Sequence, residues 1–116
     1  PVLSPNSLTI IALGSASENY FSELPFSLKR VKGQLIGIPR SLLTESHSEV
    51  LLNESYAIPT PDLEIIGATF EQKKADTEVD WGVLEPFYKS SLKKLDIDIV
   101  QGKNNDQSWF ARAGVR

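Results

Sequence analysis

The stretch Tyr56-Ala57-Ile58-Pro59-Thr60-Pro61-Asp62-Leu63-Glu64-Ile65-Ile66-Gly67-Ala68-Thr69-Phe70 decides the fold class. Its centre, Pro59-Thr60-Pro61-Asp62, is a turn signal: proline presets φ for a turn corner, and an Asp side chain can bond to nearby backbone. Glu54–Ile58 before the turn and Leu63–Phe70 after it read as strands, so Tyr56–Phe70 reads as a β-hairpin.

Outward from the hairpin, Val50-Leu51-Leu52 reads as a further short strand, and Ser41–Ser48 as a polar loop with one helical turn. Leu35-Ile36-Gly37-Ile38 is the clear strand of the unit Phe26–Ile38, which Pro39 ends. Gly33 inside that unit implies either a bulge or a close approach by another backbone or a ligand. Leu8–Leu13, short, apolar and rich in β-branched residues, reads as a buried strand. The small-residue turn Gly14-Ser15-Ala16-Ser17 follows, with Ser17 placed to cap a short helix through Phe21 and Leu24 that Pro25 stops. Towards the C-terminus, Val83, Leu84, Phe87, Tyr88, Leu92 and Leu95 recur at helical spacing. Thr77 is the expected cap of that helix, and Pro86 is expected to kink it or split it in two. Asp96–Val100 alternates like a strand, Gly102–Asp106 is a polar turn, and Ser108–Val115 reads as the last strand. Hairpins predominate, so the expected fold is α+β: a mostly antiparallel sheet with helices packed on one face.

Composition narrows the functional classes. A chain of 116 residues suits one core. Hydrophobic residues at 41% and charged residues at 23% place it among globular domains. A net charge of -3 argues against a nucleic-acid grip, which needs a basic stripe. The sequence has no cysteine, which excludes disulfides, cysteine-zinc sites and a thiol nucleophile. No apolar run reaches the ~20 residues of a membrane span, and no signal peptide is visible, so a cytoplasmic location is expected. The absence of methionine fits a piece of a longer chain.

No motif carries a reaction unaided. There is no glycine-rich dinucleotide loop, phosphate-binding loop or Gly-x-Ser-x-Gly elbow. His47, in a polar stretch, reads as a solvated loop histidine. Glu71, Asp76, Glu78 and Asp80 do not match calcium-loop spacing and read as a solvated cluster at a helix start. Tyr56 reads on composition as a half-buried packing residue. Arg112 and Arg116 have even spacing on one strand, so both should face one side. They are either surface charges or a pair able to hold a carboxylate.

Four segments together resemble the D-amino-acid oxidase-like family of flavoenzymes, which includes glycine and sarcosine oxidases. Ile10-Ile11-Ala12-Leu13-Gly14-Ser15-Ala16-Ser17 resembles the last flavin-domain strand and its Ala-x-Gly-x-Trp-Ser turn, with Ala16 where Trp is usual. Val31-Lys32-Gly33-Gln34 resembles a Val-Arg-Gly-Gln crossing strand, with Lys32 in place of Arg. Tyr56-Ala57-Ile58-Pro59, then Ile66-Gly67-Ala68-Thr69-Phe70-Glu71, then Asp76 and Thr77, are similar to the family's Tyr-x-x-Pro hairpin, Gly-x-Thr-x-Glu and Asp-x-x-Thr. Trp109–Arg116 is similar to the Trp-x-Gly-x-Arg-Pro motif.

The resemblance implies residues 1–24 as the end of a flavin domain or a connector, and 25–116 as a substrate-binding domain. It implies an FAD-dependent parent enzyme that oxidises a small amino acid or secondary amine by hydride transfer to flavin, this portion being inactive alone. Arg116 would clamp the substrate carboxylate with Tyr56 as hydrogen-bonding partner; Gly14, Ser15, Gly33 and Gln34 would lie at the cofactor. No catalytic acid–base pair and no metal are expected. Partners would be the substrate and the flavin domain of the same protein, with no membrane or nucleic acid. An apolar face left uncovered without that domain would make the piece sticky or dimeric. A chain that stops at Gly114-Val115-Arg116 fits a fragment better than a self-sufficient module. The alternatives are a non-catalytic α+β binding or scaffold module, and the oxidase part of a tRNA wobble-uridine modification enzyme.

Overall fold

The computed structural model describes residues 6–10, 12–14, 16, 28–72, 74–100 and 106–116. Its centre is an antiparallel sheet of six strands: β1 (Val31–Pro39), β2 (Leu51–Asn53), β3 (Ser55–Pro59), β4 (Leu63–Gly67), β5 (Glu71–Gln72) and β6 (Phe110–Val115). One helix, α1 (Trp81–Lys94), packs on one face. The α+β expectation holds, with one helix among the described residues.

The sequence hairpin is β3–β4, paired from Tyr56↔Gly67 to Pro59↔Glu64. Thr60 closes its turn: the hydroxyl donates to the Leu63 carbonyl at 2.8 Å and accepts from the Leu63 N–H at 3.0 Å. β1 is central. Ile36–Pro39 pairs with β4, Val31–Lys32 pairs with β5, and Lys32–Gly37 pairs with β6 on the opposite side. β4 and β5 therefore lie end to end along one flank of β1, and β6 and β2 are the sheet's outer edges.

Between β4 and β5 the ladder along β1 is interrupted, and Thr69 repairs it. Its hydroxyl accepts from the Gln34 N–H at 2.9 Å, and its own N–H donates to the Gln34 carbonyl at 3.0 Å. Gln34 has no exposed surface. Its side-chain amide donates to Glu71 Oε2 at 2.9 Å and accepts from the Asp80 N–H at 2.7 Å. One residue thus joins β1, the β4–β5 link, β5 and the start of α1. Beside it the buried Lys32 ammonium meets Asp76 at 2.6 Å. The hydrogen bond that Lys32 donates to Asp76 raises the Lys32 pKa; burial opposes this, and the charges of Asp76, Glu71 and Asp80 reinforce it.

Leu84, Tyr88, Leu92 and Leu95 form the apolar stripe of α1 and meet Ile36, Ile38, Ala57 and Ile66 of the sheet. The cap is Asp80 rather than Thr77: the Asp80 carboxylate accepts from the Gly82 N–H at 3.0 Å, one of the helix's otherwise unpaired donors. Pro86 lies inside one continuous helix, on its exposed side, where water can satisfy the carbonyl left without a donor. The helix ends in a Schellman arrangement. Asp96 takes φ 56°, Ile97 N–H bonds to the Leu92 carbonyl at 2.9 Å and Asp96 N–H to that of Lys93 at 3.3 Å.

Other expectations change. Residues 8–10, 12 and 13 form no strand, and Leu8 and Ile10 are 89% and 82% exposed. An apolar run makes a strand only where a neighbour pairs with it, and among the described residues none does. Asp96–Val100 contributes one isolated bridge, Leu43↔Ile99, not a strand. Ile97 instead turns into the core. Ser15, the helix expected from Ser17 to Leu24, the boundary after residue 24, and most of the polar turn before Asp106 lie outside the described residues.

Replacing Gln34 by Leu leaves the Asp80 N–H without its acceptor and removes one of the three donors to the Glu71 carboxylate. The expected loss is about 2–4 kcal/mol, read from the urea unfolding midpoint. A loss below about 0.5 kcal/mol would place the linkage elsewhere.

Candidate functional site

Strand alternation gives the sheet two unlike faces. Lys32, Gln34, Ile36, Ile38, Glu64 and Ile66 face the helix and are buried. Gly33, Leu35 and Gly37 of β1, Tyr56 and Ile58 of β3, Ile65 and Gly67 of β4, and Phe110, Arg112 and Gly114 of β6 take the other parity. Among the described residues nothing covers this outer face, where Leu52, Ile58 and Phe110 are exposed.

Two adjoining depressions cross the outer face. One, of ≈ 480 Å³, is lined by residues 52–56 with Gly67, Ala68 and Arg116. The other, of ≈ 270 Å³, is lined by Gly33, Leu35 and residues 112–116, again with Tyr56 and Ala68. Tyr56, Ala68 and Arg116 border both, so the two form one groove.

Glycines shape that groove. The Tyr56 ring lies directly over Gly67, and a Cβ there would overlap the phenol. Gly33 keeps regular pairing with β6, so it marks no bulge on that side. It is instead the close approach: a Cβ would stand 3.3 Å from the Thr69 carbonyl oxygen and 3.9 Å from Arg116 Cζ. Gly33 pairs directly with Gly114, which has open space above it. Gly114 leaves bare backbone between Arg116 and Arg112, while the Arg116 guanidinium lies over Gly33. The backbone of Arg116 is fixed by reciprocal bonds with Val31, each 2.9 Å. Among the described residues, neither the Tyr56 hydroxyl nor the guanidinium groups of Arg112 and Arg116 have a hydrogen-bond or ion-pair partner. Glu54, at the far end of the groove, is held by Lys94 at 2.6 Å.

The structure thus brings Tyr56, Arg116 and Gly33 into one groove and separates Gln34 and Gly14 from it. Gln34 lies on the inner face with its amide committed and no exposed surface, so a ligand cannot reach it. Gly14, with φ 54°, lies in the segment without strand structure. Gly67, Ala68, Gly114 and Arg112 complete the groove. Arg112 carried a sequence signal in its even spacing from Arg116, and Gly67, Ala68 and Gly114 fell within quoted motifs without being assigned to the site. The others depend on strand register.

His47 departs from a solvated loop histidine. Its ring is largely buried, Nδ1 donates to the Glu49 carbonyl at 2.8 Å, and Nε2 lies 2.6 Å from Glu64 Oε1. This close approach lacks hydrogen-bond alignment, and Glu64 Oε2 has no partner among the described residues. Burial raises the Glu64 pKa despite the opposing charges of His47 and Arg40. Arg40 holds the loop by donating to the carbonyls of Thr60 (3.1 Å) and His47 (2.7 Å). Of the acidic cluster, Asp76, Glu78 and Asp80 are exposed at the helix start as expected, with Asp76 bonded to Lys32 and Asp80 capping α1; Glu71 departs from the expectation, largely buried and bonded to Gln34, Thr69 and Lys74. Among the described residues no group of acids and histidine is arranged to hold a metal, and no helix is long and apolar enough to cross a membrane.

No protein-family model, curated protein or solved structure matches this chain.

Gly67→Ala is expected to cost about 1–3 kcal/mol, because Tyr56 must leave its seat. In a Tyr56→Ala background the same change should cost under about 0.5 kcal/mol; equal costs in both backgrounds would refute the seating. Glu64→Gln tests the buried carboxylate. A raised pKa gives stability that is complete below the ordinary value of 4.5 and lost as pH rises through the folded value. The stability of Glu64→Gln relative to wild type should therefore increase from pH 4 towards pH 7; a constant difference would remove the burial cost.

Proposed function

We propose that this chain is the substrate-binding portion of an FAD-dependent oxidoreductase acting on a small amino acid or secondary amine. One observation carries the reading. Tyr56 and Arg116, paired by the family resemblance as a carboxylate clamp, come from distant strands yet border one groove with their polar groups free among the described residues. Arg presents a planar fork to a carboxylate, and a phenol donor beside it adds a directed bond.

The residues of the groove fit a flat ring. Gly114 leaves open space beside the Arg116 guanidinium, which permits close approach to the sheet. Gln34 and Gly14 are not assigned a cofactor contact. FAD, when bound, supplies the hydride acceptor. The chain's own contribution is positional: Arg116 and Tyr56 fix the carboxylate, and through it the adjacent C–H. Leu35 and Ala68 give the groove an apolar wall. The exposed apolar outer face suits a covering flavin domain of the same protein.

The natural full-length protein should be yellow, and a small amino acid or amine should bleach it under anaerobic conditions. A colourless protein would sink the flavoenzyme reading and leave a carboxylate-binding module. Arg116→Met should weaken carboxylate binding by at least about tenfold, and Tyr56→Phe by about three- to tenfold, from loss of a charged and of a neutral hydrogen bond respectively. Unchanged affinities in calorimetric titration would remove both residues from the site.

A further inference from the structure

We infer that Arg112 is a second anion-binding residue of the same groove, and that the groove takes a small acid with two carboxylates, such as an acidic amino acid. This rests on the reading of Arg116 as a carboxylate clamp and extends it to the substrate's far end.

Arg112 and Arg116 share the outer parity of β6, with a glycine between them at Gly114. Four residues of extended strand separate their Cα atoms by about 13 Å. The Arg116 guanidinium reaches back over Gly33, where a Cβ would stand 3.9 Å from its Cζ, and Gly33 pairs with Gly114, so Arg116 extends towards Arg112 across the same depression. Both residues border the ≈ 270 Å³ depression together with Leu35 and Tyr56.

Besides Arg112 and Arg116, Lys29 and Lys93 have no acidic partner among the described residues, but of these cations only Arg112 and Arg116 border the groove. The chain as a whole is acidic, with net charge -3. Its other ion pairs are internally matched: Lys32 with Asp76, Lys74 with Glu71, Lys89 with Glu85 and Lys94 with Glu54. Among the described residues Arg112 and Arg116 have no acidic partner, and the acid nearest the groove's other end, Glu54, is already engaged. A ligand with one carboxylate leaves one guanidinium unmatched beside an apolar wall. One with two carboxylates matches both. The cross-strand neighbour of Arg112 is Leu35, which supplies no countercharge.

The test is an NMR or calorimetric titration of the full chain with succinate and with propionate, which differ by one carboxylate. Succinate is expected to bind at least tenfold more tightly. Arg112→Met should abolish that preference while changing propionate affinity less than twofold; Arg112→Lys should restore part of it. Arg116→Met should weaken both acids. Circular dichroism checks folding of each variant, with Arg112→Gln as the second neutral replacement.

Equal binding of the two acids to wild type, with Arg116→Met still weakening both, would overturn the role of Arg112 and leave the clamp standing. So would a succinate preference that survives Arg112→Met and Arg112→Gln. No binding of either acid, or binding indifferent to Arg116→Met, would overturn the clamp and this inference with it.

Discussion

Gln34 is the constraint on which the rest of the structure depends. A residue in the middle of the central strand would ordinarily pair with a neighbouring strand. Here the neighbour has broken off after Gly67, and a threonine hydroxyl replaces the missing acceptor. The Gln34 side chain then reaches the far end of the same break and the first turn of the helix. Burying a primary amide is costly unless its hydrogen bonds are made. Because they are made, Gln34 specifies where the link between β4 and β5 runs. That link carries Ala68 into the groove, and its Thr69 carbonyl sits against Gly33. The outer face is shaped from the inner one.

The same logic divides the charged residues. On the inner side each buried charge has a structural partner: Lys32 has Asp76, Glu71 has a hydrogen-bonded surround, and Glu64 has His47 and Arg40 nearby. Burial raises the pKa of Glu71, but the hydrogen bonds from Gln34, Thr69 and Lys74 prevail and leave it lowered. Glu64 lacks such donors, and its pKa remains raised. Two buried carboxylates on one face thus diverge because one is hydrogen-bonded and the other is not. The outer face has no such internal matching at its arginines among the described residues.

The hairpin and the helix were legible because their signals are local. Pro59–Asp62 marks a turn in four residues, and the spacing from Val83 to Leu95 marks a helical face in thirteen. The helix ends were less legible. Thr77 and Asp80 are both competent caps, and what selects Asp80 is the bond from its N–H to Gln34, distant in sequence. Asp96 at positive φ has no glycine to announce it. Residues 8–10, 12 and 13 form no strand because apolar composition does not supply a pairing partner, and none pairs with them among the described residues. Of the candidate site, Tyr56, Gly33 and Arg116 were named from motif resemblance, yet Gln34 came with them although it faces the other way. Adjacent residues in a strand point to opposite faces, and a motif that includes both cannot say which of them reaches a ligand.

The lone edge strand β6 has a further consequence. Its outward flank offers unpaired backbone groups among the described residues, and Phe110–Val115 contains neither proline nor lysine to discourage another strand from docking. Antiparallel pairing of two such edges would set the guanidinium groups of Arg112 and Arg116 against their counterparts, and like charges in that position repel. The arginines therefore protect the sheet from runaway self-association. An anion that neutralised them would remove that protection, so the chain's colloidal behaviour should depend on the anions around it.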